Sequence, residues 1–203
     1  MNERFLGDGA QAYRRRARRL IPDYEGLHEA VAARLVGVRS FLSVGCGDGE
    51  DLSRVAAERR VGVDPAPDMI RLARERLDAS VELVLGEASD LEEAFEGVAS
   101  ILVGHFVPYG EKDGFYRGLR ERCEGRLVIA ELIAPVDADL WGEKMIANGT
   151  EDAKARTAVA RAMAELFPLS REELIATVER AGFQMDSEVW SAAPFSAFAF
   201  MSL

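Results

Sequence analysis

A chain of 203 residues, 48% of them apolar when Tyr and Cys are counted, can form one globular domain with a full core. With 35 acidic against 25 basic residues, the net charge of −10 aids solubility and disfavours a general phosphate-binding surface, so nucleic acid is not the expected partner. No apolar run approaches the roughly 18 residues of a membrane span. Met1–Ala10 is polar and not a signal peptide, and Cys46 and Cys123 are too few for a disulfide framework, so a cytoplasmic protein is expected.

Residues 9–36 read as two helices broken at Ile21-Pro22-Asp23, where Pro22 fits poorly inside a helix and Asp23 can cap the next one. Leu27, Val31 and Leu35 then share one face. Arg14-Arg15-Arg16-Ala17-Arg18-Arg19 is either a solvated helix face or a patch that meets an anionic substrate. Ser40–Val44 reads as a strand running into Gly45-Cys46-Gly47-Asp48-Gly49, with a helix from about Glu50 to Arg59. Val61–Val63 is a second strand ending at Asp64-Pro65, and Pro67–Leu77 a helix. Val81–Leu85 and Val98–Val103 give strands three and four, Glu111–Cys123 a helix and Arg126–Leu132 a fifth strand. Asp139–Asn148 and Thr150–Phe167 form a helical insert. Ser170 and Glu173 make a capping box for a helix that ends at Ala181-Gly182. Phe183–Trp190 and Phe195–Met201, separated by Pro194, read as an antiparallel closing pair. Strands alternating with helices imply a parallel sheet covered on both faces.

The glycine turn at 45–49 lets backbone approach a ligand closely and precedes a helix N-terminus with unpaired amides. A dinucleotide fold would place glycine at 45, 47 and 50, but position 50 is Glu, and Glu50-Asp51 would repel a pyrophosphate. The spacing therefore allows a cofactor without phosphate. Asp64 stands 19 residues after Gly45, at the next strand end, where a carboxylate can accept both hydroxyls of a ribose. Taken alone it could instead cap Pro65-Ala66-Pro67. Glu87 follows the third strand and could accept from an adenine amino group, so three successive strand ends point to one edge.

The run Phe41-Leu42-Ser43-Val44-Gly45-Cys46-Gly47-Asp48-Gly49 resembles the first motif of class I S-adenosylmethionine (SAM) methyltransferases. Val61-Gly62-Val63-Asp64-Pro65 with Asp68-Met69 is similar to their second motif, and Val84-Leu85-Gly86-Glu87-Ala88 to their third. Arg126–Glu131 is similar to the strand that follows their post-motif helix, and the tail Leu169–Phe183 resembles small-molecule members. The resemblance implies an α/β, Rossmann-like three-layer αβα sandwich. Its mostly parallel seven-stranded sheet would run 3-2-1-4-5-7-6 with strand 7 antiparallel. One domain, 1–203, would carry an N-terminal helical lid (1–36) and the helical insert (135–169).

Carried over, Gly45, Gly47 and Gly49 would wrap the methionine part of SAM, with Cys46 a small buried residue beside it. Asp64 with Pro65 would hold the ribose, Glu87 and Ala88 the adenine, and Met69 would pack on the adenine. Ser43 departs from the family's usual Asp or Glu. Gly104 and His105 fall where the family places residues next to the transferable methyl. His105 is either a general base or a structural histidine; His28 reads as a surface residue. Tyr13, Phe106, Tyr109 and Trp141 could wall an acceptor pocket or simply pack in the core. No metal is expected. The implied activity is transfer of a methyl group to oxygen or nitrogen of a small organic acceptor by a monomer or homodimer, with S-adenosylhomocysteine (SAH) as product. A tRNA-modifying or carboxy-SAM-synthase-like enzyme, or a non-catalytic SAM-binding protein, stays open.

Overall fold

The computed structural model describes residues 12–203; Met1–Ala10 and the start of the expected first helix lie outside the described residues. Seven strands form one sheet: β1 (Ser40–Val44), β2 (Arg59–Asp64), β3 (Val81–Leu85), β4 (Phe95–Ile101), β5 (Cys123–Leu132), β6 (Phe183–Ala192) and β7 (Phe195–Ser202). Their order is β3-β2-β1-β4-β5-β7-β6, and β7 runs antiparallel to both its neighbours. The β1–β2, β1–β4, β2–β3 and β4–β5 pairs are parallel.

Period-two alternation separates two cores. Phe41, Val128, Ala130, Leu132 and Ala197 face one side of the sheet, while Leu42, Leu127, Ile129, Phe198 and Phe200 face the other. The first face is covered by α1 (Tyr13–Leu20), α2 (Tyr24–Arg34), α3 (Glu50–Arg54) and α4 (Pro67–Arg76), and by the insert helices α6 (Ala138–Ala147) and α7 (Asp152–Glu165). The second is covered by α5 (Lys112–Glu121) and α8 (Arg171–Arg180) through Tyr116, Leu119, Leu174 and Val178. Phe41 and Leu42 are fully buried on opposite faces, each worth about 1.5–3 kcal/mol of transfer free energy. The three-layer sandwich and the strand order are those the resemblance implies. Among the described residues, no helix is long and apolar enough to cross a membrane.

Several boundaries differ from the sequence reading. α3 stops at Arg54 instead of continuing to Arg59, because the strand opposite Ser40–Val44 needs five partners and recruits Arg59 and Arg60 into β2. β4 begins at Phe95 and ends at Ile101, earlier than 98–103, since Leu102 adopts a left-handed φ of 63° that no strand accommodates. Cys123 begins β5 and is not the end of α5.

Local rules explain the helix ends. Asp23 sits at φ 50°, a conformation aspartate tolerates better than most residues, and its carboxylate accepts from the Gly26 amide at 3.3 Å. Ser170 Oγ accepts from the Glu173 amide (3.2 Å), and the Glu173 carboxylate accepts from the Ser170 amide (2.9 Å). Replacing Ser170 with Ala should therefore lower the unfolding free energy by about 1 kcal/mol in urea titrations, with the slope unchanged.

Candidate active site

The turn after β1 is held in a conformation suited to glycine. Gly45, Gly47 and Gly49 have φ of 65°, 55° and 80°. A Cβ at Gly45 would come 2.5 Å from Val103, and one at Gly49 would come 2.6 Å from Leu77. The turn is pinned from β2: the Cys46 amide donates to the Val63 carbonyl (3.0 Å), and the Gly47 amide to Asp64 Oδ2 (2.9 Å). The other oxygen, Oδ1, accepts from the Ala66 amide at 2.8 Å. Burial raises the Asp64 pKa, and these two amides oppose that rise by favouring the carboxylate.

The strand tips open into a cavity of about 930 Å³. Gly45, Gly47, Asp64, Pro65 and Glu87 line it, so the tips of β1, β2 and β3 converge on one space. Tyr13, His105, Phe106 and Trp141 also line it. Tyr13 closes over the turn, and a Cβ at Gly47 would lie 3.6 Å from its ring. Burial first, then the charges of Asp48, Asp64 and Asp51, push the Tyr13 phenol well above its ordinary pKa, so it stays a proton donor.

The remaining expected residues are placed otherwise. Cys46 and Met69 are buried beside the turn; Met69 packs with Ala66, Tyr13 and Leu72. Burial holds the Cys46 thiol well above its usual pKa, and Asp64 adds to the rise, so it is no nucleophile. Gly49 packs toward Leu77 and Ala73, and Ala88 starts a 3₁₀ turn against the second core. Ser43 is buried within β1. Tyr109 lies on the surface, its ring edge-on to Phe167 and its hydroxyl donating to the Pro168 carbonyl (3.2 Å). It does not wall the cavity, because the 3₁₀ turn Tyr109–Glu111 carries it outward. His28 corrects another expectation: it is 4% exposed, with Nδ1 2.7 Å from Asp51 Oδ1.

Glu131, at the end of β5, organises the wall opposite the glycine turn. Its Oε1 accepts from the Gly104 amide (2.7 Å), and its Oε2 accepts from the His105 amide and from His105 Nδ1, both at 2.8 Å. The Leu132 amide approaches the same Nδ1 at 3.3 Å; a nitrogen that donates to Glu131 cannot also accept, and the shorter, carboxylate-assisted bond prevails. Nδ1 thus carries a proton toward Glu131, and in the neutral ring this leaves the lone pair on Nε2. Lys112 Nζ donates to the Gly104 carbonyl at 2.7 Å, and burial lowers its pKa. Gly104 is clamped on both sides in this way and does not itself line the cavity. A Cβ there would come 2.6 Å from Glu131 and 2.7 Å from the Tyr116 hydroxyl.

Glu131 does carry a sequence signal: it is one carboxylate inside the apolar run Leu127–Ile133, where a charge requires buried partners. Leu102 had no sequence signal. Its left-handed backbone, costing about 1 kcal/mol or more, places it on the cavity wall and is held by its amide donating to the Ala130 carbonyl at 2.7 Å.

The glycine turn, the carboxylate at the second strand tip and this strand order are those of the class I, Rossmann-like fold of SAM-dependent methyltransferases. Residues 41–124 match the family model of a methyltransferase domain. No curated protein sequence matches it. Among solved structures, magnesium protoporphyrin IX methyltransferase from Synechocystis PCC 6803 with bound SAH superposes with a TM-score of 0.70 at 13% identity, covering 99% of this chain and 97% of that one. A SAM-dependent methyltransferase from Thermotoga maritima gives 0.66 at 20% identity, covering 98% and 96%. Mitomycin 7-O-methyltransferase gives 0.66 at 16%, covering 88% of this chain and 53% of that one.

The residues present fit that cofactor: the left-handed glycines leave room for close backbone approach, and Asp64 retains lone pairs beyond those used by the two amides. Asp64→Ala should weaken SAH binding by about 1–3 kcal/mol in calorimetry. Because burial raises the Asp64 pKa, affinity should fall on acidification sooner than an ordinary aspartate would dictate, and Asp64→Asn should flatten that dependence.

Proposed function

We propose that the chain transfers the methyl group of SAM to an oxygen or nitrogen of a small organic molecule, with His105 taking the acceptor's proton. The observation carrying this reading is His105 on the cavity wall, 5% exposed and hydrogen-bonded from behind by Glu131, 3% exposed. Bound SAM supplies a methyl group already activated by its sulfonium.

The chain's own residues hold, orient and dehydrate. Gly45 and Gly47 back the methionine part, Asp64 and Pro65 the ribose, and Glu87 the adenine edge. Met69 supports that wall from beneath through Ala66 and Tyr13. Phe106 and Trp141 line the cavity, where aromatic side chains exclude water and can favour a cation. Glu131 acts through His105: it fixes the tautomer with Nε2 unprotonated and stabilises the imidazolium that forms when Nε2 takes the proton. Accurate in-line placement of the acceptor does most of the remaining work.

The same reading makes the described residues one domain in which 12–36 form a lid and 135–169 complete the pocket. α1 and the two insert helices line the chamber together, which supports it. A small acceptor is favoured over RNA because two arginines of the basic run are engaged internally, Arg14 with Asp48 (2.9 Å) and Arg18 with Glu25 (2.6 Å). The neighbours named for mitomycin and magnesium protoporphyrin IX point the same way.

The test is methyl transfer from radiolabelled SAM to a panel of phenols, amines and carboxylic acids. His105→Ala should lower kcat by about 10²–10⁴ with SAH affinity retained; an unaltered rate returns His105 to a structural role. Glu131→Gln should lower kcat more than it changes KM, with SAH affinity retained, a split that a purely structural carboxylate would not give.

A further inference from the structure

The cavity is larger than the strand tips require, and its charge is divided. At the strand-tip end stand two carboxylates, Asp64 and Glu87. The roof is different. α1 contributes Arg16, Ala17 and Leu20, and α7 contributes Lys154, Thr157, Ala158, Arg161, Ala162 and Glu165, which fall on one helical face at spacings of three and four. Deeper in, Trp141 and Phe195 meet edge-on with ring centroids 5.3 Å apart, and Ile21, Leu102 and Phe106 complete an apolar wall. Three cations against one carboxylate thus rim an apolar chamber.

Two of these rim cations can be given up to a ligand. Lys154 pairs with Glu151 at 2.9 Å and Arg161 with Glu165 at 2.6 Å, both between exposed side chains. Such pairs contribute little, and exchanging them for a ligand's anionic oxygens costs little. Arg16 is half-buried, its guanidinium 5.9 Å from the Tyr13 ring centroid, where an oxyanion contact is less screened. Guanidinium forks suit planar oxyanions in a way that water or an apolar group cannot match.

Resting on the methyltransferase reading of the same cavity, we propose that the acceptor is an apolar, ring-sized molecule bearing an anionic oxygen group remote from the atom that is methylated. The apolar body lies against Trp141, Phe195 and Phe106, and the anionic group sits at the rim between Arg16 and the Lys154–Arg161 face of α7. That polarity turns the opposite end of the molecule inward toward His105.

The probe pair is 1-anilinonaphthalene-8-sulfonate and N-phenyl-1-naphthylamine, which share one ring system and differ by the sulfonate. Their binding is followed by fluorescence on the full chain in saturating SAH, with SAH affinity measured by calorimetry on the same preparations. The sulfonate should bind at least about tenfold tighter than the neutral amine, and only the sulfonate should weaken with added salt. Arg16→Gln with Arg161→Gln should erase the difference while the neutral amine binds as before. Arg15→Gln with Arg19→Gln, in the separate basic groove of about 830 Å³ on the outer side of α1, should leave it intact. Equal binding of the two dyes, or loss of the difference only in the Arg15/Arg19 variant, overturns the inference. Failure of SAH to bind overturns the cofactor reading instead, and the dye comparison still decides this one.

Discussion

One buried carboxylate ties the cofactor end of this molecule together. Asp64 is 7% exposed, and it divides its two oxygens between the Gly47 amide, in the turn after β1, and the Ala66 amide, at the entrance to α4. Two consecutive strand-to-helix connections therefore share one anion. Left-handed glycines lose more conformational entropy on ordering than other residues would, so the turn needs such an anchor to stay open toward a ligand. Burying the charge is unfavourable, as its raised pKa records, and the two amide donors are what make the ionised form tolerable.

The site sits where the strand order reverses. β1 has β2 on one side and β4 on the other, so the loops after β1 and β4 diverge and leave a crevice between them. The Gly45 turn forms one lip. The Val103–Phe106 segment, secured by Glu131 and Lys112, forms the other. Each lip is fixed by a charged side chain buried in the sheet or its flanking helix and not by the loop's own sequence. The rest of the cavity is lined by helices that bring their own charge.

Much of this was legible because it is local. Strand alternation, the glycine turn, the spacing to Asp64 and the Ser170 capping box depend on residues within a few positions of one another or on one βαβ unit. What was not legible depends on distant partners. The end of α3 at Arg54 was set by the length of β1, and the outward position of Tyr109 by a 3₁₀ turn with no marker of its own. His28 read as a surface residue because a lone histidine in a polar helix carries no sign of a buried aspartate 23 positions away. The role of Glu131 required knowing that β5 lies beside β4, so that a carboxylate at the end of one strand meets the backbone after the next.

Asp23 has a further bearing on how the molecule comes together. One of its oxygens caps α2, and the other accepts from Trp190 Nε1 at 2.9 Å, a contact spanning 167 residues; Arg34, at the far end of α2, pairs with Asp186 of the same strand, β6. The N-terminal helices are thus oriented by a segment that leaves the ribosome long after they do. The Trp190 and Asp186 contacts can form only once β6 has joined the sheet edge, so the final seating of these helices depends on the last part of the described chain.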